Sequence, residues 1–186
     1  MCLLEDGVQM TIYRSIAIIV ITLSICVLLI EKGGRASEKM DQKERIVIDF
    51  SRAEDRERWY TINDGVMGGI SRSEMILSDS STAIFQGTVS LKNNGGFAST
   101  RIGLRSNPLE GYSGMLLQVR GDGKKYQLRL RTDDRFDGIS YRYRFTTQKG
   151  IAQTVIASFT EFEPVFRGRV IEDAAPLVPE RVQQLG

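Results

Sequence analysis

At 186 residues the chain has room for one domain of about 100–200 residues and a short appendage. Its formal charge of +2, from 25 Lys+Arg against 23 Asp+Glu, offers no basic excess of the kind that marks a nucleic-acid partner. There is no histidine, and Cys2 and Cys26 both precede residue 30, so the remainder has no His-based general base, no Ser-His or Cys-His nucleophile pair, no disulfide and few means of ligating zinc.

The first element in chain order is an apolar run. Residues 15–30 are 16 uncharged residues between Arg14 and Glu31. As a helix rising about 1.5 Å per residue they cover about 24 Å, short of a hydrocarbon core of about 30 Å. Residues 10–13, with Arg14 snorkelling, extend the run to a marginal membrane span. The same segment fits a signal peptide, with Met10 as an alternative start and Gly34-Arg35-Ala36 as a cleavage site. The expectation is one N-terminal apolar helix within residues 1–30. It acts as an uncleaved anchor, or as a signal whose removal leaves a secreted or periplasmic body; a buried core helix is the third reading. Lys32, Arg35, Lys39, Lys43 and Arg45 follow the segment and favour a cytoplasmic body, whereas a secretion signal favours the opposite side, which is the side expected. Residues 31–45, nine of them charged, read as a solvated linker.

From residue 46 the pattern changes. Residues 46–50 form a β-rich run, and Ser51 with Glu54 has the spacing of a capping box, which predicts a brief helix or turn through Arg58. Short β-type runs follow at 70–77, 83–91, 97–102, 114–120, 126–131, 139–146 and 153–159, punctuated by glycine. Helical periodicity is confined to the last ten residues. Tyr126, Leu128 and Leu130 alternate with Gln127, Arg129 and Arg131, and Tyr141, Tyr143 and Phe145 with Arg142 and Arg144. Each run therefore reads as a half-buried strand, aromatics and leucines inward and arginines outward. Many such strands with glycine-rich turns predict an all-β body over 46–186, an antiparallel β-sandwich or jelly roll.

Chemistry-bearing residues cluster in two glycine-rich stretches. In residues 59–71, Asn63-Asp64-Gly65 can make a tight turn, and Gly68-Gly69 lets the backbone pass close to a neighbour. Asn93-Asn94-Gly95-Gly96-Phe97 is the second. Either the two loops form one rim of a binding face, with Trp59, Asn63, Asp64, Met67, Ser71, Asn94 and Phe97 as its residues, or they are strand-connecting turns with a core Trp and Phe. Neither carries a nucleotide-binding signature. Gly121-Asp122-Gly123-Lys124 reads as a hairpin turn. Residues 133–138 are a poor calcium loop, because Arg135 stands where an oxygen ligand is needed, so no metal is expected there. Arg129, Arg131, Arg142 and Arg144 form a basic stripe if their strands pair, suited to carboxylate or phosphate; the plainer alternative is a solvated face paired with acids.

Five blocks together carry a resemblance: Asn63-Asp64-Gly65-Val66-Met67-Gly68-Gly69-Ile70-Ser71 after Trp59, Phe85-Gln86-Gly87, Asn93-Asn94-Gly95-Gly96-Phe97-Ala98-Ser99, Arg120-Gly121-Asp122-Gly123-Lys124 with Tyr126, and Phe166-Arg167-Gly168-Arg169. From about residue 46 to 186 the chain resembles the complex I intermediate-associated protein family, the thirty-kilodalton mitochondrial complex I assembly factors and their bacterial relatives. The resemblance implies a galactose-binding-like jelly roll. It also implies a non-catalytic module, without cofactor, that binds respiratory complex I (NADH:ubiquinone oxidoreductase) subunits or subassemblies as an assembly factor or chaperone. The rival expectation is a carbohydrate-binding module of the bacterial envelope, with Trp59, Tyr112 or Phe97 stacking on sugars. The apolar segment departs from the mitochondrial members and adds membrane contact through the N-terminus. The family continues beyond residue 186, so the sandwich is expected to lack its last C-terminal strand and to leave an open edge.

Overall fold

Alternation with a period of two makes strand the commonest element among the described residues, because a sheet half-buried on one face needs every second side chain apolar. The protein is described by a computed structural model covering residues 2–3, 9–13, 45–77, 82–105, 108–135 and 137–186, the first two segments as backbone alone. In chain order the strands are β1 (Cys2–Leu3), β2 (Gln9–Tyr13), β3 (Arg45–Asp49), β4 (Tyr60–Asn63), β5 (Arg72–Leu77), β6 (Ala83–Thr88) and β7 (Ala98–Gly103). They continue with β8 (Gly114–Arg120), β9 (Lys125–Arg131), β10 (Ser140–Thr146), β11 (Ala152–Ser158), β12 (Glu163–Phe166), β13 (Arg169–Val170) and β14 (Gln184–Leu185). One short helix, α1 (Ala53–Arg56), and four single-turn 3-10 segments complete the described elements.

The strands form two antiparallel sheets. In the first, β11 covers one edge of β8 along its whole length, so β1 and β2 share the other edge and lead outward to β6–β5 and to β3. The second runs β13-β12-β10-β9-β14-β7-β4. Both turn their apolar faces onto one core: Ile48, Ala83, Met115, Leu117, Val155 and Ala157 from the first, Ile102, Leu128, Leu130, Tyr141 and Leu185 from the second. Each fully buried large side chain there contributes about 1.5–3 kcal/mol. That shared core defines an all-β body of two stacked layers.

Several expectations are corrected. Residues 10–13 do not extend a helix; they lie in β2, where Met10 and Ile12 alternate with Gln9, Thr11 and Tyr13 and the backbone pairs with β3 and β8. The apolar run at 16–30 and the linker at 31–44 lie outside the described residues. Among the described residues no helix is long and apolar enough to cross a membrane. Gly121–Lys124 is not a hairpin turn, because β8 and β9 belong to different sheets; this segment carries the chain from one layer to the other. Ser51 makes no capping box: its N–H and hydroxyl both donate to Asp49 Oδ1 (2.9 and 2.6 Å), and α1 starts from Arg52 without a side-chain cap. The capping box that does form is Ser158 with Glu161, after β11. The last ten residues are a 3-10 turn, Pro179–Arg181, and then β14, inserted between β9 and β7 with Leu185 opposite both Leu130 and Ile102.

Candidate functional site

Asp64 begins the 3-10 turn that follows β4, and its side chain has no exposed surface. A buried carboxylate needs donors to replace its water. Four are supplied, all by the two glycine loops. Asp64 Oδ1 accepts the Ser71 N–H (2.8 Å), and Oδ2 accepts the Gly96 N–H (2.7 Å), the Phe97 N–H (3.4 Å) and a short bond from the Ser71 hydroxyl. The backbone seals the arrangement: Asp64 N–H donates to the Phe97 carbonyl (3.3 Å), Gly69 N–H to the Asp64 carbonyl (3.0 Å), and Ser90 N–H to Ser71 Oγ (2.9 Å). Burial pushes the Asp64 carboxyl up, but the hydroxyl and amides of Ser71, Gly96 and Phe97 outweigh it and hold the group below the usual carboxylate range.

This clasp explains two of the glycines. A Cβ on Gly69 would overlap the Asp64 carboxylate, and one on Gly95 would meet Asp64 Oδ2 and the Ser90 carbonyl. Gly68 and Gly96 instead serve the backbone, with φ of 87° and 137°.

The Ser71, Gly96 and Phe97 donors turn inward onto Asp64, and apolar side chains of both loops stand outward. Val66, Met67 (57% exposed) and Ile70 rise from the first loop, and Val89, Leu91 (82% exposed) and Phe97 from the second. Exposed apolar residues gathered on one feature mark interaction surfaces. Of these six the sequence reading picked out Met67 and Phe97 as contacts. Val66 and Ile70 carry the same signal, apolar residues inside a glycine loop; Val89 and Leu91 fall in the run read as strand to residue 91, whereas the strand ends at Thr88 and leaves both in the connection to the second loop.

The other candidates are placed as follows. Asn63 ends β4 and accepts the Ser73 hydroxyl (2.6 Å), a tie between the second sheet and the first. Ser71 is buried within the clasp. Asn94 is exposed in a left-handed conformation (φ 57°) that turns the second loop. Trp59 packs against the core, stacked on Phe50 with ring centroids 5.7 Å apart, and so stands apart from the loop surface.

Arg129 and Arg142 lie on the face of the second sheet that points away from the core, directly opposite each other in β9 and β10. In register, Glu163, Arg142, Arg129, Gly186, Arg101 and Tyr60 make one row across six strands. Arg131 sits one step along, beside Gln184. The plain expectation of a solvated face is overturned for two of these arginines: Arg131 and Arg142 are buried, covered by loops whose Gly138 and Gly168 carbonyls accept from them (3.2 and 3.4 Å). Burial and then the neighbouring Arg142, Arg131 and Arg101 draw Arg129 down to about 10. Glu163 pairs with Arg142 at 2.9 Å. In the loop at 133–137, Asp133 and Asp137 are held by Arg135 and Arg167, each at 2.6 Å.

Fold and site together define a two-sheet β domain that clasps two glycine loops with one buried carboxylate. The family model described as Complex I intermediate-associated protein 30 matches residues 48–186, and the chain belongs to that family. It is 26% identical over 176 residues to the Mus musculus protein named Complex I intermediate-associated protein 30, mitochondrial, an alignment covering 83% of this chain and 53% of that one. It is also 31% identical over 150 residues to an uncharacterized protein of Schizosaccharomyces pombe, covering 69% of this chain and 68% of that one. The chain thus spans about half the length of the mouse relative.

Proposed function

We propose that this chain is a non-catalytic protein-binding module of complex I assembly, which docks its two clasped loops onto an apolar surface of a complex I subunit or assembly intermediate. The observation that carries the reading is the division of labour around Asp64: every polar loop group bonded to it points inward, and Val66, Met67, Ile70, Val89, Leu91 and Phe97 are left for a partner. A surface ordered before contact costs less to immobilise on binding. Family membership supports complex I as the setting, and the mouse relative's name supports a mitochondrial one. A binding role also suits a chain without histidine, whose buried Asp64 is fully occupied by structural donors. We read the two-layer body as the galactose-binding-like jelly roll.

The test is affinity capture from detergent-solubilised respiratory membranes. The parent chain is expected to recover complex I subunits, and Met67→Arg with Leu91→Arg to reduce recovery by at least about tenfold, a loss of about 1.4 kcal/mol. Both side chains are exposed, so the variant should keep a cooperative melt at an unchanged midpoint. Recovery of no complex I subunit by the parent, or equal recovery by the variant, contradicts the proposal.

A further inference from the structure

A backbone edge left unpaired at the end of a sheet is a template for another strand. Among the described residues the sheets end in β3, β5 and β11 on one side of the core and in β4 and β13 on the other. Four of these edges carry a device against further pairing. β3 has Arg45 and Asp49 at its ends and a register shift in its pairing, and β5 has Arg72 and Glu74. β4 is only four residues long, and β13 is two residues that include Arg169. β11 has no such device. Its seven residues hold no charge and no proline, and they pair with β8 in one unbroken register. Among the described residues β8 is its one strand partner.

Hydrogen bonds fix which backbone groups of β11 face the open side. Phe159 N–H donates to the Ser113 carbonyl (2.9 Å), so by the alternation of an antiparallel ladder Ala157, Val155 and Gln153 turn their backbone groups to β8. Ala152, Thr154, Ile156 and Ser158 therefore turn theirs outward. Two bonds at the edge agree with this: Ser158 N–H donates to Glu161 Oε2 (3.2 Å), and the Ile156 carbonyl accepts the Tyr143 hydroxyl (2.9 Å). Thr154 keeps both its groups for a new strand, Ile156 its N–H and Ala152 its carbonyl.

We propose that this edge pairs with the same edge of a second copy of the chain, antiparallel about a twofold axis at Thr154, so that one sheet runs across a homodimer. The groups on offer complement themselves in that register. The two Thr154 residues exchange both bonds, and each Ile156 N–H meets the second copy's Ala152 carbonyl. An axis at Val155 would instead aim Thr154 N–H at the engaged Ile156 carbonyl and waste the engaged Ser158 N–H. Side chains agree, since Thr154 faces Thr154 and the exposed Ile156 (46%) faces the small Ala152. Charge sets the direction. Glu161 is held at the edge beyond one end of β11 by its bond to Ser158. The exposed Lys149 stands beyond the other end, with no ion pair among the described residues. Antiparallel pairing brings each Lys149 toward the second copy's Glu161, whereas parallel pairing would set like charges side by side. This self-match in bonds, size and charge favours a second copy over the strand of another protein.

The test is sedimentation velocity of the full chain over a concentration series. The parent is expected to pass from monomer to dimer as concentration rises. Thr154→Lys and Thr154→Glu each place like charges opposite one another at the axis and should raise the dimer dissociation constant at least about tenfold. An equimolar mixture of the two places opposite charges there and should restore the dimer, which only folded variants can do. Ile76→Lys, exposed on the distant edge strand β5, should dimerise like the parent. A parent that stays monomeric, as it would if the edge served another protein's strand, overturns the proposal. So does a dimer that either Thr154 variant leaves unchanged, or a mixture that stays monomeric. The docking variants lie at positions 67 and 91, so either reading can fail without the other.

Discussion

Asp64 governs both glycine loops, and substitution at their glycines measures how tightly it does so. Gly69→Ala and Gly95→Ala each push a methyl group into the Asp64 carboxylate and are expected to cost about 1–3 kcal/mol by denaturant midpoint, as overpacking does. Gly65→Ala, with nothing within 4 Å of its Cβ, should stay within about 0.5 kcal/mol of the parent. Such a split would follow from the clasp and not from a general demand for glycine in turns. Acid should weaken the clasp itself. The folded-state carboxyl lies below its ordinary value of 3.8, so its contribution is complete above that pH and is lost as pH falls through the folded value. Asp64→Asn, which faces an amide group toward backbone donors, should melt below the parent near neutral pH, and the gap should narrow below about pH 4. Asp49, Asp122, Asp133 and Glu163 are also held low, so the parent too loses stability in acid; the difference between the two proteins isolates Asp64. Asp64 was legible in the sequence as part of a glycine-rich cluster. Its direction was not, because a turn-forming Asp looks the same whether it faces a ligand or its own backbone.

Among the elements, β9 and β10 were the most legible. Their strict alternation fixes both strand type and facing, and the pairing puts Arg142 opposite Arg129 as a half-buried pair of strands requires. The two-residue strand β14 was illegible for the opposite reason. Gln184 and Leu185 are too few to show a period, and their place comes from the open edges of β7 and β9 on either side. Its anchoring is measurable. Leu185 is 1% exposed against Leu130 and Ile102, so Leu185→Ala is expected to cost about 2–5 kcal/mol, while exposed Leu91→Ala should stay within about 0.5 kcal/mol. Gly121–Lys124 shows a related limit. Turn residues announce that the chain changes direction, but pairing alone decides whether it returns to its own sheet or crosses to the other, and here it crosses. The Asp122 carboxylate fastens that crossing. Burial pushes it up, but Lys124 (2.6 Å) and Tyr126 (2.8 Å) hold it far below the usual range.

For the molecule as a whole, composition anticipated the two-layer body. A chain of short alternating runs and glycine turns has few ways to bury a core other than stacking the apolar faces of its sheets. What composition cannot convey is how the outward-facing residues are grouped. The clasp collects apolar side chains from two distant segments, and sheet register gathers arginines from β7, β9 and β10 onto the opposite side of the core-facing layer. Each grouping needs contacts between residues far apart in the chain, such as Asp64 with Gly96, which only folding creates. In the proposed docking, the clasped loops touch complex I components. It is tested most directly by placing a photo-reactive amino acid at Met67, irradiating the chain in respiratory membranes and identifying the adducts. Docking through the loops gives adducts with complex I subunits from position 67 and none from the exposed Lys124. Adducts from Lys124 but not from position 67, or from neither, would contradict it.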